Sequence, residues 1–323
     1  MELLLYIYFL GAAILLSINT KPLKPLYFKI FWFLSFFVLS LTVRLNLQGD
    51  MLVYQASMDY KSFSPYYIRE PVVWLGMRII YSLLDNTYLV FIVLDMIMGL
   101  VLWASLSNLK LPQYAFFSFI IFFPFILGMQ NIYRQWFASI LILYTYSIVL
   151  NSSQIRRPLV TFILASLSHN AAAVFLPLLV TASKKSKILI YTLALIISAL
   201  GVVQGAGTKS NTTVGADLGA IYLALFVLII MFFLLSDRLI IRRSRSTDYM
   251  TILTVVYLCV LGLFVLGGSG RERLALMALF IIYPLLIRKI ETRFVNHLTL
   301  RILIIVFGFV PLLVFNTRYF ILT

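Results

Sequence analysis

The sequence predicts an all-α polytopic membrane protein, a single transmembrane domain over residues 1–323 with about ten transmembrane helices and short re-entrant or interfacial helices. Three observations lead there. Of the 323 residues, 62% are hydrophobic and 11% charged, and the mean hydropathy is +1.02, outside the range of water-soluble domains. The apolar residues fall into runs close to the roughly 20 residues a helix needs to cross a hydrocarbon core of about 30 Å. The basic residues, which give a formal net charge of +15, gather in the connections between those runs. That pattern marks cytoplasmic loops in contact with anionic lipid headgroups, and it excludes a nucleic-acid partner.

In chain order, the runs predicted to span are 3–18, 27–43, 87–107, 112–128, 131–150, 187–203, 218–236, 249–267, 272–287 and 299–315. The N-terminus lacks the basic stretch of a cleaved signal peptide, so 3–18 reads as a retained span. Lys21 and Lys24, Lys110, Arg156 and Arg157, Lys184, Lys185 and Lys187, the stretch 238–245 with Arg242 and Arg245, and the stretch 288–301 hold the basic residues. Keeping them all in the cytoplasm requires that 70–84 not cross and that 158–183 enter and leave on one side. The first is about four helical turns with Arg78 in its middle, and Glu70 followed by Pro71 is a good helix start. The second divides at Ser168, His169 and Asn170 into halves too short to span, and polar backbone at that depth is tolerated where it lines a wet cavity. Both termini then lie outside. The outer side receives 44–69, 128–133, 204–217 and 267–273.

Most polar residues that topology leaves unexplained fall on that outer side. The first outer loop, 44–69, carries Arg44, Asp50, Tyr54, Asp59, Tyr60, Tyr66, Tyr67 and Arg69, with acids and bases nearly balanced. Carboxylates beside aromatic rings suit carbohydrate, although an interfacial belt of tyrosines has the same composition. With a helix starting near Asn131, residues Asn131, Arg134, Gln135 and Ala138 share one face. An arginine costs about 2.5 to 3.5 kcal/mol at the bilayer centre, so Arg134 either snorkels to headgroups or faces a wet cavity or an anion. Three polar residues on one face favour the cavity. His169 sits in a small-residue region at the break of the re-entrant segment, either as a satisfied structural histidine or as a catalytic or orienting group. His297 belongs to a basic loop. Gly267, Gly268, Ser269 and Gly270 precede Arg271 and Arg273, a stretch where backbone can approach a ligand and forked donors match phosphate oxygens. Asp95, alone in an apolar span, suits a helix–helix hydrogen bond or a neutral carboxyl better than a proton relay. Cys259 is the single cysteine, and neither a metal motif nor a cofactor motif is present. The energy for any reaction then resides in the substrate, and a lipid diphosphate carries its own activated leaving group.

Gly49 and Asp50 with Tyr54, then Glu70 and Pro71, then Asn131, Arg134, Gln135 and Ala138, then Leu167, Ser168, His169 and Pro177, resemble in order and spacing the EpsG-type branch of the Wzy-like polysaccharide polymerases. The likeness covers about residues 44–180, and Arg271 and Arg273 look like the later arginine region of that family. The resemblance implies polymerisation of O-antigen, capsule or exopolysaccharide repeat units at the outer face of a bacterial inner membrane. The growing glycan would pass from undecaprenyl diphosphate to a hydroxyl of the next lipid-linked unit, with a flippase and a chain-length regulator as partners besides membrane lipids. On that expectation Arg134, Arg271 and Arg273 hold the donor diphosphate, and Asn131, Gln135, Arg44 and Tyr54 contact substrate. Asp50, Glu70 or His169 assists deprotonation of the acceptor. The alternatives are an O-antigen ligase or C-type glycosyltransferase, and a flippase or transporter of lipid-linked oligosaccharide. A transporter distributes polar groups along the membrane to serve both faces, whereas here they collect toward one.

Overall fold

The computed structural model describes residues 2–19, 21–47, 49–59, 65–151, 155–181, 188–205, 219–239, 246–293 and 298–314. Among the described residues the regular structure is helical, with no strand. The helices are α1 (Glu2–Ile18), α2 (Pro25–Arg44), α3 (Asp50–Asp59), α4 (Pro71–Leu84), α5 (Thr87–Asn108), α6 (Gln113–Ile120), α7 (Phe123–Gln130), α8 (Tyr133–Asn151), α9 (Arg156–Ser168), α10 (Leu178–Thr181), α11 (Ile188–Gly205), α12 (Gly219–Leu239), α13 (Ser246–Val265), α14 (Gly268–Arg293) and α15 (Leu298–Val314). Two 3-10 turns, Pro65–Arg69 and Asn170–Phe175, precede α4 and α10. Two helices, α2 and α5, are long and apolar enough to cross a membrane, and α6 with α7 makes a third if the bent pair is one span. Large apolar side chains face outward on the bundle, among them Leu4, Leu15, Leu26, Leu83 and Phe264, an arrangement that calls for lipid around them. The chain is a helical membrane protein.

Three stretches differ from the sequence expectation. The run 112–128 is two helices meeting at 49°, because Pro124 lacks the N–H to continue α6 and its ring would strike the preceding turn, so Phe122 becomes extended. The first outer loop contains α3. Gly49, at φ 54°, supplies the left-handed turn that starts it. The glycine stretch before Arg271 forms no open turn: Gly268 begins α14, and the Arg271 N–H already bonds the Gly267 carbonyl at 3.0 Å. Tyr60, Lys184, Lys185, Lys187, Arg242, Arg243, Arg245 and His297 lie outside the described residues.

The interior is aromatic. Trp32 of α2 stacks on Phe36 and packs with Trp103 of α5 and Phe116 of α6, and Phe122 stacks on Tyr283 of α14 at 4.1 Å. Through this apolar interior runs one polar staple. Arg44, wholly buried, places Nε 2.7 Å and Nη2 2.9 Å from the two carboxylate oxygens of Asp95. Ser40, one turn earlier on α2, donates to the same carboxylate at 2.7 Å, and the Tyr133 hydroxyl donates to it at 2.8 Å. The guanidinium also lies 4.8 Å from the Tyr133 ring centre. Asp95 is therefore the shared partner of Arg44, Ser40 and Tyr133, and its hydrogen bonds join α2, α5 and α8.

Removing one member of a buried pair leaves an uncompensated charge at a cost of about 3 to 5 kcal/mol, whereas replacing both by apolar residues is close to neutral. Asp95→Ala is expected to lower unfolding stability in detergent by about that amount, and Arg44→Met with Asp95→Leu to recover most of it. Thermal or denaturant unfolding of the purified protein checks both.

Candidate functional site

Five segments begin at the same corner of the bundle: α3, α4, α8, the turn Asn170–Phe175 and α14. Their contacts define the corner residue by residue. Glu70 occupies the residue before α4, where a carboxylate normally caps its own helix. It makes no such cap. Its side chain, 8% exposed, turns to Arg134 in the first turn of α8, with Oε2 against Nη1. Oε1 accepts the Asn170 backbone N–H at 3.2 Å and lies 3.7 Å from His169 Nδ1. The Arg134 Nε donates to the Tyr54 hydroxyl at 3.0 Å, and its guanidinium lies 5.1 Å from the Trp74 ring centre.

The expected break at His169 is present: α9 ends at Ser168 and His169 is extended, φ −156° and ψ 124°. Its Nδ1 accepts the Ala171 N–H at 3.1 Å, which leaves the remaining ring proton on Nε2. Burial first, then the guanidinium groups of Arg134 and Arg273, push the His169 pKa down to about 3, so the ring is neutral at physiological pH. In α3, burial holds the Tyr54 hydroxyl above its ordinary pKa, so it stays a neutral acceptor for Arg134.

Gln135 ties the corner to α14. Its Nε2 donates to the Arg273 carbonyl at 2.6 Å, while its buried Oε1 meets no partner among the described residues. Asn131 lies outside α8, in the break after α7, with φ −131°. It does not share a helical face with Arg134. Its Oδ1 accepts the Asp50 N–H at 3.3 Å instead and fastens the start of α3. Asp50 itself is exposed. Arg271 and Arg273 occupy one turn of α14, but residues two apart project about 200° from each other, so they do not share a face. Arg273 is the one whose charge bears on His169.

Two sequence assignments change in kind. Arg44, expected to contact substrate, is fully enclosed and committed to Asp95. Tyr54, expected as a sugar platform, is 4% exposed and packed on Trp74 at 5.0 Å, so it holds Arg134. Trp74 was missed, although its place four residues after Glu70 sets it on the same side of α4. Among the described residues no group of three or more His, Cys, Asp and Glu side chains gathers to hold a metal ion.

A family model described as the EpsG family matches residues 29–206, more than half of the chain. The chain belongs to the EpsG family. The match contains Glu70, Arg134 and His169 and stops before α14, so Arg273 joins the EpsG segment through space. No curated protein and no solved structure matches the chain. EpsG membership points to polysaccharide polymerisation by a membrane protein.

The start of α8 has little room to shift. A Cβ at Gly128 would lie 2.7 Å from Trp136 Cδ1 and 2.8 Å from its Cβ, whereas one at Gly76 meets nothing within 4 Å. Trp136 is two residues from Arg134. Gly128→Ala is expected to destabilise the protein by about 1 to 3 kcal/mol and to reduce polymer made in cells, with Gly76→Ala close to wild type in both. Melting curves and polymer gels check the pair.

Proposed function

We infer that this EpsG protein polymerises undecaprenyl-diphosphate-linked oligosaccharide repeat units at the outer face of the bacterial inner membrane. The observation that carries the reading is the Arg134–Glu70 pair, gathered with His169 and Arg273 at one end of the bundle. On this reading the chain is one multi-pass domain of about ten spans, short ones included, and the segments 44–69, 70–84 and 158–183 build the site.

Separation of charge along α14 supports the sidedness. Arg273 lies in the second turn of α14, and Glu291 near its other end accepts Arg301 at 2.6 Å and the Tyr114 hydroxyl at 2.9 Å. At 1.5 Å per residue those ends are about 27 Å apart, close to the thickness of a hydrocarbon core. The end with Glu291 neighbours the basic connections assigned to the cytoplasm, and the end with Arg273 is the substrate end.

In the reaction, the anomeric carbon of the donor glycan forms a bond to the acceptor hydroxyl oxygen as its bond to the diphosphate breaks. Undecaprenyl diphosphate leaves with the electron pair, and a carboxylate takes the hydroxyl proton. Arg134 and Arg273 stabilise the charge that develops on the diphosphate, reinforced by helix N-termini that point their N–H groups the same way. Arg271, on another face, contributes less. Glu70 is the carboxylate at the reacting position. Asp50, farther out, acts on approach of the acceptor, and neutral His169 orients a sugar hydroxyl through Nε2–H. Gln135 positions Arg273 through its carbonyl.

Arg134→Ala is expected to leave single repeat units on lipid in cells. Arg134→Lys, which keeps a charge and loses the fork, gives short chains. Arg271→Ala shortens chains less than Arg273→Ala. Gel profiles of extracted glycan read all of them, and wild-type chain lengths from Arg134→Ala would remove that residue from the site.

A further inference from the structure

The carboxylate best placed to take the acceptor proton and the guanidinium best placed to hold the donor phosphate are bonded to each other. Glu70 Oε2 is engaged by Arg134 Nη1, and that oxygen faces the start of α8. The other oxygen is engaged elsewhere, by the Asn170 N–H and beside His169 Nδ1. The two oxygens of Glu70 thus have separate attachments. Breaking the one to Arg134 leaves the one to Asn170 in place, so Glu70 keeps its position when it loses the arginine. Arg134 is likewise anchored apart from Glu70, through Nε on the Tyr54 hydroxyl and its guanidinium beside Trp74.

A phosphate oxygen and a carboxylate oxygen want the same thing from a guanidinium, a forked and charge-assisted pair of donors. A diphosphate brings more charge than the carboxylate and outbids it.

Resting on the function proposed above, we propose that the donor diphosphate competes with Glu70 for Arg134, and that this exchange frees Glu70 Oε2 to accept the proton of the acceptor hydroxyl. Donor binding and activation of the base are then one event. An acceptor arriving without a donor meets a carboxylate occupied by Arg134 and is not deprotonated, which suppresses unproductive chemistry at the site. Glu70 is a catalytic residue that opposes donor binding, a combination that a structural ion pair does not produce.

The test uses the full chain purified in detergent and farnesyl diphosphate, a short polyprenyl diphosphate, as the probe. Glu70→Gln removes the competing charge while keeping size and a donor-acceptor group. It is expected to bind the probe about tenfold more tightly than wild type, the effect of one charge-assisted hydrogen bond no longer contested, and to make no polymer. The unmodified protein provides a second reading that does not depend on a variant folding. Farnesyl diphosphate should raise labelling of Glu70 by a hydrophobic carbodiimide, read by peptide mass spectrometry. Binding by wild type that is unchanged or weaker in Glu70→Gln, or labelling that the probe leaves unchanged or lowers, overturns the competition. Failure of wild type to bind the probe at all overturns the diphosphate reading beneath it.

Discussion

A guanidinium surrounded by hydrocarbon must keep an anion within reach, and Arg44 and Arg134 meet that requirement with different results. Arg44 and Asp95 close on each other with Ser40 and Tyr133 and leave nothing exposed. Tyr133 is the first residue of α8, so the same carboxylate that neutralises Arg44 fixes where α8 begins. Arg134 follows it. The second pair, Arg134 with Glu70, stays partly open, at 18% and 8% exposure. The closed pair sets the position of the open one, and the open one stays within reach of a ligand.

Local backbone features convert that anchor into a site. Pro71 starts α4 so that Glu70 stands before it, Gly49 turns the chain into α3 beneath Asn131, and the extended His169 presents the Asn170 N–H to Glu70. Gln135 then reaches across to the carbonyl of Arg273 and brings α14 to the same corner. Each contact joins segments distant in sequence, and each uses the beginning of a helix, where unpaired N–H groups and the helix dipole favour negative charge. A corner built this way suits a ligand more negative than Glu70 alone.

Much of this could be read before any fold was known, and the reasons are local. Glu70 with Pro71 announces a helix start, and Ser168, His169 and Asn170 interrupt an apolar run where no helix of spanning length fits. Arg134 stands out because lipid rejects it. What could not be read depends on choosing between distant partners. Arg44 looked like a loop residue because Asp95, its partner, is 51 positions away and looked solitary. Counting along one helix puts Asn131 on the face of Arg134, but α7 ends at Gln130 and α8 begins at Tyr133, so Asn131 lies in the break and turns to Asp50. The α3 helix escaped notice because its pattern mixes polar and apolar residues in a loop rich in tyrosine. Counting residues also shows that Arg271 and Arg273, two apart on α14, project in different directions.

The function proposed for this chain is that of a polymerase that draws its energy from a lipid diphosphate held by Arg134 and Arg273. The most direct measurement places purified protein in proteoliposomes with a single lipid-linked repeat unit and follows glycan length and free undecaprenyl diphosphate together. One diphosphate lipid released for each new glycosidic bond is the predicted result. Repeat units that cross the bilayer unextended, with no diphosphate lipid released, would contradict it.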